Sequence, residues 1–327
     1  MTTRSRIVTR IMLSILMFGG VTAMSPLLAT AAPPGPIRVA ADIDIDCAGM
    51  DLRQDADWYF PTGEPRGLVV LLHGFGATKD QYRELATALA AAGDLVFVPT
   101  LPLMDPSGCA LSSVIPNRGF LDGLAGLLGT DGELRRSFRA AANQVGRAAL
   151  ALPNRMVLMG HSAGGDAVFG IAARLVTTYP SAPIHLAGLV QLDPVLGIDT
   201  SVTDDALTAL ASTDLPVRLI TTPPSLCNNS GSATAAAKTR LPGRFLGIQL
   251  TTGSHVDALG TGDATVAAAA GLLCGTVTDR NAGLTRTFAT AWARDELTAD
   301  GSPDFYPGGG YYDGEAAAGE IQTLLGR

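Results

Sequence analysis

The chain has 327 residues, is 47% hydrophobic and only 16% charged, and carries a formal net charge of −7. That composition supports a sizeable core and excludes a disordered chain; no 20–50-residue period repeats, which excludes a solenoid. Lysine occurs only at positions 79 and 238, so no basic patch invites nucleic acid as a partner.

At the N-terminus, Arg4, Arg6 and Arg10 precede an apolar stretch from Ile11 to Leu28, and Ala29-Thr30-Ala31 has the small-x-small pattern of a signal-peptidase site. Residues 1–31 are expected to be an export signal. No cysteine stands at the cleavage point to carry a lipid, so the mature chain is expected to begin near Ala32 as one secreted domain over 32–327, without a membrane anchor. Cys47, Cys109, Cys227 and Cys274 are an even set, which reads as two disulfides in an oxidising compartment. Of three connectivities, Cys47–Cys109 with Cys227–Cys274 is preferred, because the second pair would tie together two loops near the site argued below. No C-x-x-C or spaced histidine pair suggests a metal, and no cofactor is expected.

Gly67–Leu72, Leu95–Val98, Arg155–Met159, Leu186–Leu192, Val217–Ile220 and Phe245–Leu250 are short, nearly continuous apolar runs. Runs of this length suit strands buried on both faces. Between them, Thr78-Lys-Asp-Gln81 is a capping box opening a helix to Ala92, which Gly93 ends. Gly132–Leu150, Ala163–Tyr179 and Leu284–Leu297 are further predicted helices. The alternation predicts an α/β fold with a mostly parallel sheet and helices on both faces. Pro102–Gly129 reads as a loop-rich roof over the sheet's C-terminal edge, and the Gly- and Tyr-rich tail from Phe305 as irregular.

Gly160-His161-Ser162-Ala163-Gly164 matches G-x-S-x-G between a predicted strand and a predicted helix. At such a corner the serine hydroxyl stands above the strand end, and flanking glycines relieve collisions across the turn. The N–H of Ala163, at the helix start, points to where an oxyanion would form. A serine nucleophile needs a base. Of the four histidines, His161 adjoins the serine and diverges from it, His73 ends the first apolar run, and His185 begins a strand at the wrong end of the sheet. His255 lies in the loop after the last apolar run, at the same edge as Ser162, and is the candidate base. In "LLHGFGAT" the backbone after His73-Gly74 approaches the site, making the Phe75 N–H the second candidate oxyanion donor. Gly74-Phe-Gly76 lacks the third glycine of a dinucleotide loop.

The third member of such a triad orients the imidazole. No Asp or Glu occurs between Asp214 and Asp257, so the loop after the Val217–Ile220 strand cannot supply it. Asp193 in "LVQLDPV", at the end of the preceding strand, is the candidate acid. Asp199 is the runner-up, with Asp204, Asp205 and Asp257 behind it. The order Ser162, Asp193, His255 is the chain order of a G-x-S-x-G triad.

On these motifs the chain resembles the α/β-hydrolase superfamily over roughly residues 60–300, and within it the chlorophyllase and cutinase-like polyester hydrolase branch. "HGFGAT" resembles that branch's oxyanion segment, "GHSAGG" its elbow, "LDPV" the acid motif of chlorophyllases and "GSHVD" the histidine loop. "FATAWARDEL" resembles the terminal helix of bacterial polyester hydrolases, although those usually place the acid one strand later. The resemblance implies hydrolysis of carboxylic esters (lipid, polyester or small acyl esters) through an acyl-enzyme, without metal or cofactor. The alternative is a cell-envelope acyltransferase using the same triad. Only about 23 residues separate Asp193 from the next strand, too few for a large lid, so an open cleft is expected.

Overall fold

The computed structural model describes residues 35–111, 117–261 and 274–327. The expected export signal, with its cleavage point, lies outside them, as does the run Ala267–Ala270, whose consecutive alanines predict helix. Among the described residues, nine strands, numbered in chain order from β1 (Ile37–Cys47) and β2 (Met50–Phe60) to β9 (Ile321–Leu325), form one sheet in the order β1-β2-β4-β3-β5-β6-β7-β8-β9. The six central strands are parallel: β3 (Leu68–Leu72), β4 (Leu95–Pro99), β5 (Arg155–His161), β6 (His185–Leu192), β7 (Val217–Thr221) and β8 (Phe245–Leu250). They coincide with the six apolar runs. Their side chains alternate between two cores, as the two-residue period of a strand requires. Leu68, Val70 and Leu72 face one core, while Val69 and Leu71 face the other.

The first core is roofed by α2 (Arg118–Gly129), α3 (Glu133–Gln144), α4 (Ala163–Thr178), α5 (Thr200–Ala211) and α6 (Ser232–Arg240). The second is roofed by α1 (Arg83–Ala91), α7 (Asp279–Thr298) and α8 (Gly310–Ala317). The Thr78 capping box forms as read, although it first starts a 3-10 turn, Lys79–Tyr82, that runs into α1. No helix among the described residues is long and apolar enough to cross a membrane.

Three local expectations are corrected, and one element is added. The Pro102–Gly129 segment is not loop throughout: its second half is α2, whose Phe120, Leu121 and Leu124 are buried in the first core. The helix expected to reach Leu150 stops at Gln144, before Gly146 at φ +70°. The tail forms α8 and an antiparallel edge strand, β9 (Ile321–Leu325). An unanticipated hairpin, β1 (Ile37–Cys47) with β2 (Met50–Phe60), extends the other edge. Its Ala48-Gly49 loop has both residues at positive φ, as a tight two-residue turn requires. Disulfides join Cys47 to Cys109 and Cys227 to Cys274, with Cα–Cα separations of 5.9 and 5.3 Å.

Asp94, just before β4, is 0% exposed, and neither carboxyl oxygen has a hydrogen-bond partner among the described residues. Burial pushes its pKa up to about 7, opposed by Arg66 and Arg294. A carboxyl group raised above its unfolded value is held protonated by the folded state. Its stabilising effect is complete below the unfolded pKa and is lost as pH rises through the folded one, here by roughly 3 kcal/mol between pH 5 and pH 8. Asp94→Asn is therefore expected to leave Tm at pH 5 nearly unchanged and to raise it at pH 8 by about 5 °C, read by calorimetry. Equal shifts at both pH values would contradict this account.

Candidate active site

The C-terminal ends of β3, β5, β6, β7 and β8 converge on Ser162. The serine sits between β5 and α4 at φ +54°, ψ −123°, a region that L-residues avoid. A Cβ on Gly160 would lie 2.4 Å from the Gly164 carbonyl oxygen, and one on Gly164 would lie 2.4 Å from that of His73. Thus Gly160 relieves a collision within the turn, whereas Gly164 lets α4 pass over the end of β3. The ladder continues past the strand ends: Ser162 N–H donates to the Leu192 carbonyl at 3.1 Å, and Asp193 N–H to that of Ile220 at 2.8 Å. Asp193, at φ +41°, is a second residue held in an unfavourable conformation. Such conformations cost roughly 1–3 kcal/mol each and persist only where the surroundings over-determine them.

His255 lies between the two. Its Nε2 is 3.0 Å from Ser162 Oγ, and its Nδ1 is 2.7 Å from Asp193 Oδ2. All three residues are buried. The Asp193 carboxylate also accepts from Thr222 N–H (3.0 Å, to Oδ1), Thr222 Oγ1 (2.8 Å, to Oδ2) and Asn228 Nδ2 (3.3 and 3.4 Å). Thr222 and Asn228 escaped sequence reading. They lie in the loop after β7, which contains no acid: that strand end supplies donors to the carboxylate from its neighbour. Cys227, next to Asn228, is bridged to Cys274, so the preferred pairing does tie the β7 loop to the segment that follows the histidine loop.

The rejected candidates have other partners. Asp199 N-caps α5 through Ser201 N–H at 3.1 Å. Asp204 and Asp205 ion-pair with Arg240 and Arg118. Asp257 accepts from Ser254 N–H and Thr278 N–H beneath the histidine loop, and burial pushes its pKa up to about 6. His185 is exposed at the start of β6. His73 is buried and accepts from Leu101 N–H at 2.7 Å.

A Cβ on Gly74 would stand 2.9 Å from Ser162 Cβ, so the backbone after β3 runs directly over the serine. Neither Phe75 N–H nor Ala163 N–H has a hydrogen-bond partner among the described residues. The Phe75 side chain is exposed, as are Leu103 and Met104 after β4, Ile198 after β6 and Leu226 after β7; exposure runs from 38% at Leu103 to 94% at Leu226. Loops after four strands at this edge of the sheet, β3, β4, β6 and β7, therefore present large apolar side chains to solvent.

A buried imidazole bridging a hydroxyl and a carboxylate at the C-terminal edge of a parallel sheet is the geometry that a Ser-His-Asp triad requires. No curated protein matches the chain. The family model for serine aminopeptidase, S33, matches residues 63–235, a span that holds Phe75, Ser162, Ala163 and Asp193. With the match covering just over half of its length and the fold agreeing, the chain belongs to this family of α/β-hydrolases.

Proposed function

We propose that the protein is a secreted serine esterase acting on carboxylic esters with an apolar acyl or alcohol part. The observation that carries this reading is His255 bridging Ser162 at 3.0 Å and Asp193 at 2.7 Å. His255 Nε2 takes the Ser162 proton as Oγ attacks the ester carbonyl carbon. Asp193 holds the Nδ1–H tautomer and stabilises the imidazolium. The N–H groups of Phe75 and Ala163 bind the oxyanion, and the alcohol departs with the proton from His255. Water, deprotonated by the same imidazole, then releases the acid from Ser162. The exposed apolar side chains on the surrounding loops favour an apolar substrate over a charged one. Export is supported by the N-terminal pattern and by the two disulfides.

The family's name favours a second reading, cleavage at a peptide N-terminus. A free α-ammonium group calls for an available carboxylate beside the serine. Asp166 is engaged by Thr203 Oγ1 and Gly197 N–H, and Asp257 by Ser254 and Thr278, which weighs toward the ester. A fluorophosphonate probe is expected to label the wild-type protein and not Ser162→Ala. p-Nitrophenyl esters are expected to turn over far faster than amino-acid p-nitroanilides. An unlabelled wild type would sink the serine-enzyme reading, and preferential anilide cleavage would transfer it to the peptidase.

A further inference from the structure

We infer that His161 and Tyr82 form a neutral strut that positions the base and the oxyanion loop for the reaction proposed above. Both side chains are buried. His161 Nδ1 is 2.6 Å from Tyr82 Oη, His161 Nε2 is 2.8 Å from the backbone carbonyl oxygen of His255, and Gly74 N–H reaches Tyr82 Oη at 2.9 Å. The chain of contacts thus runs from the residue before Phe75, through the helix-starting turn and the elbow, to the backbone of the base.

Only one placement of protons satisfies it. The His255 carbonyl can only accept, so His161 Nε2 carries a hydrogen. The Gly74 N–H can only donate, so Tyr82 Oη accepts it and turns its own hydrogen toward His161 Nδ1. That nitrogen must be bare, and His161 is neutral with its hydrogen on Nε2. Its surroundings agree: burial first, then the neighbouring His255 and His73, hold its pKa down to about 3, while burial raises that of Tyr82. Neutrality also matters to the base, because the two imidazole rings lie 4.7 Å apart. A charged His161 would repel the imidazolium that forms on His255. The strut touches no reacting atom, so both residues act by positioning.

The network is read without activity by 15N NMR of the full wild-type protein. His161 should show a protonated Nε2 and a bare Nδ1, unchanged from pH 5 to pH 8. A protonated Nδ1, or titration within that range, overturns the inference. Its consequence is read in kinetics on p-nitrophenyl butyrate. His161→Leu is expected to lower kcat about 100-fold and Tyr82→Phe about 10-fold, each with KM within about threefold, as small misplacements of catalytic groups do. His161→Gln retains a donor for the His255 carbonyl and should regain about tenfold over His161→Leu. A leucine variant within about twofold of wild type, or a glutamine variant no better than leucine, overturns it equally. Failure of the esterase reading looks different: an unlabelled wild type whose His161 still holds the assigned tautomer.

Discussion

Asp193→Asn is expected to lower kcat on p-nitrophenyl butyrate by about 10³–10⁴-fold with little change in KM, the size of effect seen when a triad acid becomes an amide. The hydrogen bonds around the carboxylate say why. Oδ2 accepts the His255 Nδ1–H, while Oδ1 is met by Thr222 N–H and the Asn228 amide, both donors. An asparagine has one acceptor end and one donor end. With its NH2 toward Thr222 and Asn228, it buries donor against donor. With its NH2 toward His255, it forces the imidazole hydrogen onto Nε2, and a protonated Nε2 cannot take the proton of Ser162. The rate of fluorophosphonate labelling should fall with kcat, since both need the serine deprotonated. Asp199→Asn is the control: its carboxylate caps α5, so kcat should stay within about twofold. Loss of rate in Asp199→Asn and not in Asp193→Asn would mean that the acid is misassigned.

The parallel core was legible because each central strand is buried on both faces and reads as an unbroken apolar run. The hairpin at the sheet's edge was not found by the same criterion, since β1 and the first half of β2 keep one face toward solvent. Its signal was alternation: Asp42, Asp44 and Asp46 separate the buried Ile43, Ile45 and Cys47. Likewise, α2 was obscured by its four glycines, Gly119, Gly123, Gly126 and Gly129, which lower helix propensity. Tertiary contact explains at least one of them, because Gly129 lies against the Tyr179 ring, where a Cβ would come within 2.6 Å of the ring's Cγ.

At the site, residue type and placement beyond a strand end made Ser162 and His255 the candidate nucleophile and base. Asp193 followed from the carboxylate-free interval after Asp214. Thr222, Asn228 and Tyr82 carry no comparable signal. A threonine, an asparagine or a tyrosine is common in any loop or turn, and their partners come from 29, 35 and 79 residues away along the chain. His161 could be excluded as base from adjacency to the serine alone. What it does instead depends on a carbonyl 94 residues downstream, which only the folded chain brings to it.

Gly74→Ala should cost about 10²–10³-fold in kcat, the effect of losing one oxyanion donor, with far less effect on KM. The added Cβ would sit 2.9 Å from Ser162 Cβ and 3.0 Å from His161 Nδ1. Neither neighbour can yield. Ser162 is fixed by the elbow and by its N–H bond to Leu192, and His161 is pinned at both ring nitrogens. The loop after β3 must therefore move, carrying the Phe75 N–H away from the carbonyl it would stabilise, while Ala163 N–H remains at the start of α4. Gly76→Ala is the matched control. Its Cβ meets nothing within 4 Å, but its φ of +77° disfavours alanine. It should lose about 1 kcal/mol of stability and keep kcat within a few-fold. A boronic acid that mimics the tetrahedral state should weaken in parallel with kcat in Gly74→Ala and not in Gly76→Ala. If Gly74→Ala folds and keeps wild-type kcat and boronate affinity, the second oxyanion donor is not Phe75.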